Sequence, residues 1–290
     1  MADKVYKIAS LTCSFNRKDK TAAFLKSMLL QSLPEGYQLD MYLLDDKSSD
    51  GTSDHIKANF PSVKVIEGTG WLYWAGGMRK VWNYALSQDD YDLFLLMNDD
   101  VKLNTDALPR LLKAWEQSDK PANLLLGTVM NMDGQSISYG GWKRTNRYTS
   151  NVYLVIPDEK LLKECEIGNA NVLLVDKKAV DRIGILSTSF THGLADFDYT
   201  LRAVAKGVNV VVAPGYYGFC DYDHGKPWLP ASVPLKKRIK YLYSPTGLAY
   251  KEYLVYIWRH FPYTYPGKFL KLWLKTLFPF FYDKFKKRAY

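Results

Sequence analysis

Residues 93–101 read Leu-Phe-Leu-Leu-Met-Asn-Asp-Asp-Val, an apolar run that ends in Asn98, Asp99 and Asp100. An uninterrupted apolar segment of this length is typical of a strand that is buried on both faces of a sheet. Open α/β sheets bind their ligands at the carboxyl ends of the strands, where these acids would lie. The run therefore predicts a ligand site, and a turn of solvated aspartates is the alternative.

The adjacent carboxylates argue for a bound cation. Two such groups repel each other and are costly to desolvate, and a divalent cation would relieve both problems. Oxygen ligands of this kind suit Mg²⁺ or Mn²⁺, which often hold substrate phosphates as well. His224, which precedes Gly225, could add a nitrogen ligand, although a surface histidine is an equal alternative.

The segments on either side of this run alternate between strand-like and helix-like patterns. This alternation predicts an α/β fold with a mostly parallel, Rossmann-like sheet flanked by helices. Strands are predicted at residues 5–11, 39–44, 63–66, 93–97, 124–130, 152–156, 171–175 and 208–213. Helices are predicted at residues 18–31, 76–86, 106–115, 177–183 and 195–206.

Polar residues follow the first two predicted strands, and parallel strands would bring them to the edge that holds Asp99 and Asp100. A carboxylate there could accept the imide N–H of a uracil or thymine ring, on which an aromatic side chain could stack. The alternatives are a polar loop or a helix cap by Ser48 or Asp50. The candidate nucleotide-binding residues are Thr12, Cys13, Ser14, Phe15, Asn16, Arg17, Asp45 and Asp46.

A tryptophan and two glycines form another candidate donor-binding segment. Gly76 and Gly77, ahead of a predicted helix, would let backbone N–H groups approach a phosphate closely. Arg79 could neutralise a diphosphate, and Trp74 lies just before the glycines. An aromatic loop that closes over the core is the alternative for Trp74.

Two acids stand at the predicted start of the helix at residues 195–206. Asp196 is a candidate general base that would deprotonate an attacking hydroxyl. Asp198 or Arg202 would then hold the helix or the acceptor. Because helix N-termini favour carboxylates electrostatically, capping is the alternative for both acids.

Composition narrows the class of protein. The 290 residues are 47% hydrophobic and 24% charged, enough for one large globular domain or for a domain with an appendage. Three widely spaced cysteines form no CxxC pair, so we expect reduced thiols in a cytosolic protein. No run of 18 apolar residues and no apolar N-terminal segment occur, so neither a spanning helix nor a signal peptide is expected.

The positive charge is concentrated in residues 235–290. This segment has 13 lysines and arginines against two acids, a net charge of +11, whereas the whole chain carries +9. Lys268, Lys271 and Lys275 would form one helical stripe among aromatic and aliphatic residues. Basic and aromatic residues together suit an anionic membrane surface, and docking onto the rest of the chain or onto a second subunit of a homodimer is the alternative.

Together these segments resemble the inverting glycosyltransferases of family 2, which have the GT-A fold, and in particular their bacterial rhamnosyltransferase and galactofuranosyltransferase branch. The resemblance covers about residues 5–225. It is carried by Thr-Cys-Ser-Phe-Asn-Arg at 12–17, Leu-Asp-Asp-Lys-Ser-Ser-Asp-Gly-Thr at 44–52, Ala-Gly-Gly-Met at 75–78, Asn-Asp-Asp-Val at 98–101 and Ala-Asp-Phe-Asp-Tyr-Thr-Leu-Arg at 195–202.

The resemblance implies roles for the acids. Asp45 or Asp46 would read the base, Asp100 would bind the metal, and Asp99 would lie near the ribose or phosphate. Asp196 matches the catalytic base of the family.

The chain departs from the family pattern at two positions. Asn98 replaces the first acid of the DxD motif, a substitution also common in this branch, and Ala195 stands where the family usually has glutamate. The second departure concerns the handling of the acceptor. The residues expected to contact the acceptor are Trp142, Asp198 and Arg202.

The resemblance also implies an activity and a location. We expect transfer from a dTDP- or UDP-sugar, with dTDP-rhamnose one candidate, to a saccharide or lipid-linked acceptor in the synthesis of bacterial cell-surface polysaccharide. The enzyme would be cytoplasmic and peripheral on the inner face of the plasma membrane. We expect a catalytic domain at 1–234, divided into a nucleotide-binding part (1–101) and an acceptor-binding part (102–234), and a helical tail at 235–290.

Three other classes of protein compete with this interpretation. A nucleotidyltransferase should carry a glycine-rich phosphate loop after the first strand, but residues 12–24 contain no glycine. A non-catalytic nucleotide-sugar or carbohydrate-binding module is the second. A nucleic-acid binder would fit the sequence pI of 9.1, yet the basic residues lie among bulky aliphatics outside any recognised motif, so no nucleic-acid partner is expected.

Overall fold

The computed structural model describes residues 4–222 and 228–285. Its strands are β1 (Tyr6–Ser14), β2 (Tyr37–Asp45), β3 (Val63–Glu67), β4 (Leu93–Asn98), β5 (Lys102–Leu103), β6 (Asn123–Met130), β7 (Ile137–Tyr139), β8 (Gly141–Arg144), β9 (Val152–Val155), β10 (Lys163–Glu164), β11 (Ile167–Gly168), β12 (Val172–Asp176) and β13 (Asn209–Phe219). Its α-helices are α1 (Lys18–Leu29), α2 (Thr52–Asn59), α3 (Tyr73–Gln88), α4 (Ala107–Glu116), α5 (Lys177–Ile183), α6 (Ala195–Ala205), α7 (Leu235–Tyr243), α8 (Tyr250–His260), α9 (Tyr265–Leu277) and α10 (Phe280–Phe285).

The main sheet has the order β10-β13-β6-β12-β4-β1-β2-β3, with β5 and β7 as short additions to β13 and β6. Strands β1 to β4 pair in parallel, and β13 pairs in parallel with β6. Strand β12 runs antiparallel to both of its neighbours. The predicted α/β class with a mainly parallel, helix-flanked sheet is confirmed.

Strand β4 is buried on both faces, as its apolar run predicts. Leu93, Leu95 and Met97 belong to one apolar cluster, whereas Phe94 and Leu96 belong to a second. Successive side chains of a strand point to opposite faces, so each face of β4 needs its own apolar set. This is why the run shows no alternation of polar and apolar residues.

The strand order reverses between β1 and β4. The chain passes from β1 outward to β2 and β3 and then returns to the other side of β1 for β4. In open α/β sheets such a reversal opens a crevice at the carboxyl ends of the strands. The register pairs Cys13 with Asn98 and Ser14 with Asp45, so the ends of three strands are level at this edge.

Strand β1 is longer than predicted, which corrects the assignment of three candidate nucleotide-binding residues. Thr12, Cys13 and Ser14 lie inside β1 and are buried, with exposed fractions of 2%, 8% and 2%. The strand extends to Ser14 because β2 and β4 pair with it along its carboxyl-terminal half. The side chains of Thr12 and Cys13 therefore support the sheet.

The C-terminal helices pack beside α6. Tyr256 and Ile257 of α8 share an apolar cluster with Ala195 and Leu201 of α6. A second cluster joins α7, α8 and α9. Within residues 4–222 and 228–285, no helix combines the length and apolar character that crossing a bilayer requires.

A fully buried carboxylate links α6 to α8. Asp198 accepts hydrogen bonds from Arg202 Nε (2.8 Å), Arg259 Nη1 (2.6 Å) and His260 Nε2 (2.8 Å). The other guanidinium nitrogens of Arg202 donate to the carbonyls of Ile183 and Ile185. Asp198 and Arg202 therefore bond to other groups of the protein and hold α6 in place. The expectation that they contact the acceptor is corrected.

The ionised form of Asp198 is favoured by these partners. Burial alone would raise the pKa of its carboxyl, but the hydrogen bonds from His260, Arg259 and Arg202 outweigh it and lower the pKa. A carboxyl whose pKa is lowered in the folded state stabilises the protein above its ordinary pKa. That contribution is lost as the pH falls through the folded-state value.

We expect Asp198→Ala to lower the free energy of unfolding at neutral pH by about 1.5–3 kcal/mol, because the partly exposed Arg202 and Arg259 lose their charged hydrogen-bond acceptor. The difference from the wild type should shrink at acidic pH, where the wild-type carboxyl also loses its charge. Denaturant unfolding at a series of pH values measures both effects.

The matched control is Asp54→Ala, which removes an exposed aspartate from the first turn of α2. This variant should stay within about 0.5 kcal/mol of the wild type. Equal losses for the two variants would contradict the role given to Asp198.

Candidate active site at the carboxyl edge of the sheet

The two acids that follow β4 both pair with one guanidinium group, that of Arg17. Arg17 Nη1 donates to Asp100 Oδ2 at 2.6 Å and to Asp99 Oδ1 at 3.2 Å. Arg17 directly precedes α1, and its side chain extends from the end of β1 to the acids at the end of β4. A predicted nucleotide-binding residue and the two predicted edge acids therefore meet.

Asp99 lies deeper than Asp100. Its side chain is 5% exposed, against 12% for Asp100, and its Oδ2 accepts a hydrogen bond from Thr21 at 3.1 Å. Burial raises the pKa of Asp99 and the neighbouring Asp100 adds to this, while Arg17 opposes both. Asp100 is thus the more accessible carboxylate of the pair.

Asn98 and Trp74 are joined at the same edge. The indole Nε1 of Trp74 donates to Asn98 Oδ1 at 2.9 Å, which fixes the amide at the end of β4. A carboxylate at this position would add a third negative charge beside Asp99 and Asp100. The amide instead accepts the indole N–H without that repulsion.

The two acids at the end of β2 have different surroundings. Asp46 accepts hydrogen bonds from the backbone N–H groups of Thr69, Gly70, Leu72 and Tyr73, so both of its oxygens are engaged in holding that loop. Asp45 bonds to Ser48 through Oδ1.

Burial raises the pKa of Asp45, and the hydrogen bonds from Ser48 oppose the shift. No hydrogen bond of a described residue engages its other oxygen, Oδ2. Of the two acids proposed to read a base, Asp45 is therefore the one with an oxygen left for a ligand.

Residues 15–17 form the rim of this edge. Phe15 is 50% exposed beside the strand end. Asn16 has a φ of 52° and accepts the Ser49 N–H at 2.7 Å, which ties the loop after β1 to the loop after β2. An exposed ring next to Asp45 and Arg17 is suited to stacking on a planar ligand.

The paired glycines do not form a phosphate loop, contrary to the sequence prediction. Helix α3 begins at Tyr73, so Gly76 and Gly77 lie within its first two turns. The N–H groups of Ala75 and Gly76 donate to the Thr191 carbonyl. A Cβ atom at Gly77 would collide with Cys13 Sγ, so this glycine permits the close approach of α3 to β1.

Arg79 also differs from its predicted role. Its Nη1 donates to the carbonyls of Ser187 (2.9 Å) and Phe190 (2.7 Å). Burial lowers the pKa of this guanidinium, which points away from the strand ends to the segment before α6. Arg79 holds that segment and does not face the edge where a diphosphate would lie.

Asp196 lies at the start of α6 and is partly buried. Its Oδ1 accepts the Phe197 N–H at 2.9 Å, and its Oδ2 accepts the Ala170 N–H at 3.3 Å. Burial raises the pKa of Asp196, although both backbone hydrogen bonds oppose the shift. A carboxylate with a raised pKa is a stronger proton acceptor than an ordinary aspartate.

Two short paths of contacts connect Asp196 to the acidic edge. Ala170, which bonds to Asp196, precedes Asn171, whose carbonyl accepts the Asn98 N–H at 3.3 Å. Asn171 Nδ2 also contacts Cys220 Sγ at 3.8 Å, and that thiol contacts Asp100 Oδ1 at 3.4 Å. The segment at residues 170–171 therefore lies between Asp196 and the acids that follow β4.

An aromatic pair adjoins Asp196 on the other side. The rings of Trp142 in β8 and Phe197 in α6 meet edge to face, with centroids 5.8 Å apart. Trp142 is thereby placed next to the residue that follows Asp196. The contact of Trp142 with an acceptor stays a prediction.

The described residues contain no cluster of three or more His, Cys, Asp or Glu side chains arranged to bind a metal. His224 lies outside the described residues. The oxygen atoms of Asp99 and Asp100 are the donors at this edge. Such a pair fits Mg²⁺ or Mn²⁺ held by one or two carboxylates together with substrate phosphates.

Sequence reasoning missed two contributors to this geometry, Cys220 and the segment at residues 170–171. Both lie far from Asp100 or Asp196 along the chain, and neither has a local motif that marks it. The antiparallel pairing of β12 with β4 brings residues 170–171 to the carboxyl edge, and the parallel pairing of β13 with β6 brings Cys220 there.

Comparison with known proteins agrees with this fold. The family model "Glycosyl transferase family 2" matches residues 11–156. No curated protein sequence matches the chain.

Among solved structures, S. aureus TarS is 15% identical with a TM-score of 0.53, over 74% of this chain and 36% of that one. Residues 1–349 of TarS in complex with UDP are 14% identical with a TM-score of 0.55, over 92% of this chain and 72% of that one. The mannosyltransferase PcManGT from Pyrobaculum calidifontis, in complex with GDP-Man and Mn²⁺, is 14% identical with a TM-score of 0.55, over 93% and 69%.

The chain spans about a third of the length of the full TarS chain, and at these identities the structural likeness establishes a shared fold. The family match rests on sequence and extends over half of the chain, from the last residues of β1 to β9, and it includes the acids that follow β4. The chain therefore belongs to glycosyl transferase family 2.

Proposed function

We propose that this enzyme transfers a sugar, with inversion, from a nucleoside-diphosphate sugar to a saccharide or lipid-linked acceptor. The observation that carries the proposal is the connection of Asp196 to Asp100 through residues 170–171 and Cys220. This connection supports the assignment of a proton acceptor and a cation-binding edge to one end of the sheet. Single-displacement transfer needs both groups around one anomeric carbon.

The donor is proposed to be a dTDP- or UDP-sugar, in keeping with the resemblance to the rhamnosyltransferase and galactofuranosyltransferase branch. Asp45 Oδ2 would accept the imide N–H of the base, and Phe15 would stack beside it. Asn98 and Asp99 would face the ribose and phosphates. The UDP and GDP-Man complexes of the TarS fragment and PcManGT support a nucleotide ligand on this fold.

Asp99 and Asp100 would hold a divalent cation together with the donor diphosphate. When bound, Mn²⁺ or Mg²⁺ offsets the negative charge that develops on the leaving diphosphate. Arg17 already pairs with both carboxylates in the structure, so it would move toward the donor phosphates or share the acids with the cation. The Mn²⁺ complex of PcManGT supports this part of the proposal.

Asp196 is the proposed general base. It would take the proton of the acceptor hydroxyl as that oxygen bonds to the anomeric carbon and the bond to the diphosphate oxygen breaks on the opposite face. The raised pKa of Asp196 makes the transfer of the proton more favourable. Trp142 and Phe197 would supply an aromatic surface for an acceptor sugar.

We expect Asp196→Asn to lower the rate of transfer by about 10²–10⁴-fold, the usual contribution of a general base. Donor affinity should change less than twofold, because Asp196 does not lie among the donor-binding residues. Radiolabelled transfer from dTDP- and UDP-sugars to acceptor and calorimetry with the nucleotides measure the two quantities.

Asp181→Asn, on the exposed face of neighbouring α5, is the matched control and should retain the wild-type rate. The wild-type rate should fall on the acidic side through a pKa above the ordinary range of aspartate, because only ionised Asp196 accepts a proton. Unchanged turnover in Asp196→Asn would remove this residue from the role.

We expect Asp100→Ala to abolish the gain in donor affinity that Mn²⁺ provides. The more exposed carboxylate of the pair would be lost, and Asp99 alone would not hold the cation. Calorimetry with UDP and dTDP, with Mn²⁺ and with EDTA, tests this.

Asp119→Ala is the matched control, since the Asp119 side chain is 83% exposed and lies away from the edge. It should keep the full effect of Mn²⁺. An Asp100→Ala variant that still gains affinity with Mn²⁺ would show that the cation, if it binds, uses other residues.

The C-terminal helices are proposed to attach the enzyme to an anionic membrane surface, where lipid-linked acceptors would be reached. Exposed apolar side chains line α9, α10 and the turn between them, and basic residues flank them. Each lysine or arginine near an anionic surface contributes about 1 kcal/mol of attraction. The exposed apolar residues are Phe269, Leu270, Leu274, Leu277, Phe278, Phe280 and Phe281.

We expect Phe280→Ser with Phe281→Ser to reduce flotation with phosphatidylglycerol vesicles several-fold, while neither protein floats with neutral phosphatidylcholine vesicles. The pair Leu29→Ser with Leu30→Ser removes two equally exposed apolar residues from the end of α1 and is the control. Equal flotation of all proteins on both kinds of vesicle would contradict membrane attachment.

A further inference from the structure

A cavity of about 360 Å³ lies on the far side of the segment that precedes α6. One wall is formed by His192, Gly193 and Leu194, and a second by the turn at residues 245–249. The third wall is α9, which contributes Lys268, Lys271, Leu272 and Lys275. The cavity belongs neither to the carboxyl edge of the sheet nor to the exposed apolar surface of α9 and α10.

The three lysines come from one face of α9. Spacings of three, four and seven residues place their side chains on the same side of a helix, so all three converge on the cavity. None of the residues that line the cavity is acidic. The cavity therefore concentrates positive charge.

Two of these lysines have no anionic partner among the described residues. The structure records no ion pair between Lys268 or Lys271 and any carboxylate of the described residues. Burial lowers the pKa of Lys268, and the positive charge of Lys271 lowers it further. An anion between Lys268 and Lys271 would offset the cost of burying the Lys268 ammonium group and the repulsion between the two lysines.

The remaining lining is mixed. Leu194, Leu248 and Leu272 supply apolar surface. Gly247 contributes backbone to the wall, and this position has no room for a side chain because a Cβ atom would collide with the Tyr241 carbonyl. A ligand that carries an anionic group next to a hydrocarbon segment would match both kinds of surface. A fully hydrated inorganic ion would use only the charged part.

The cavity is separated from the proposed base by one turn of chain. Leu194 lines the cavity, has a φ of 67° and is the N-cap residue of α6, two positions before Asp196. The segment is held on both sides, since Thr191 donates to Glu252 of α8 and accepts hydrogen bonds from α3. A ligand in the cavity would therefore lie at a fixed distance from the acceptor side of Asp196.

We propose that this cavity binds the diphosphate group of a lipid-linked acceptor, with the lysines on the phosphates and the leucines against the adjoining hydrocarbon. Lysine is a suitable point charge for phosphate recognition. The inference rests on the proposed transfer to a lipid-linked acceptor. It specifies the chemical group of that acceptor which the cavity would recognise, the diphosphate.

Binding of geranyl diphosphate, inorganic diphosphate and geraniol is measured by calorimetry on the full chain in EDTA, which excludes metal-dependent binding at the donor edge. Geranyl diphosphate should bind, inorganic diphosphate should bind more weakly, and geraniol should show no binding. Binding of inorganic diphosphate without binding of geranyl diphosphate would mean a site for a free anion and would overturn the proposal.

The test variant replaces Lys268, Lys271 and Lys275 by glutamine and should weaken geranyl diphosphate binding at least ten-fold. The control variant replaces three exposed lysines of α7 by glutamine and removes the same charge from the same part of the chain, so its affinity should stay within twofold. Equal affinities in the two variants would overturn the proposal. The control positions are Lys236, Lys237 and Lys240.

A measurement on the wild type covers the case in which the test variant does not fold. Acetylation of lysines with and without geranyl diphosphate, followed by mass spectrometry, should show protection of Lys268 and Lys271 and none of Lys236 and Lys237. Absence of that protection would overturn the proposal. UDP binding measured with Mn²⁺ on the same samples reports the donor edge separately, so a failed donor site and a failed cavity give different results.

Discussion

Two adjacent carboxylates at the end of a buried strand, Asp99 and Asp100, are the constraint on which the site depends. Their mutual repulsion and the cost of burying Asp99 must be offset by positive charge. Arg17 provides it from the opposite side of the strand reversal, so the pair also joins β4 to the start of α1. The same need for positive charge is what makes the edge a suitable place for a divalent cation and a diphosphate.

A second constraint ties the proposed base to the C-terminal helices. Asp198 stands one turn into α6 and is held by Arg259 and His260 of α8, so the orientation of α6 depends on residues 61 and 62 positions later. Asp196, two residues before Asp198, takes its position from this same helix. The basic C-terminal segment therefore has a part in forming the acceptor side, beyond any contact with a membrane surface.

Local patterns predicted the fold well where one physical requirement acts along a continuous segment. Strand β4 needed apolar side chains on both faces, and helix α5 was predicted with its observed bounds. Site prediction was less accurate where one residue type serves two purposes. Glycine permits both phosphate approach and close helix packing, and Gly77 serves the second; arginine binds phosphates and carbonyls alike, and Arg79 binds carbonyls.

The order of strands and helices, the buried character of β4 and the position of the acids after it are properties of the sequence alone, because they follow from hydrophobic periodicity within short windows. Tertiary structure alone decided which of those acids remain available to a ligand. Both oxygens of Asp46 are engaged by backbone N–H groups 23 to 27 residues later, and both oxygens of Asp198 by side chains of α6 and α8. Asp45 keeps one oxygen without a hydrogen bond from the described residues. Asp100 pairs with Arg17, 83 residues earlier, at the strand reversal, and Asp196 accepts the Ala170 N–H beside β12. Hydrogen-bond partners at such separations depend on the packing of whole elements, which no local pattern of residues records.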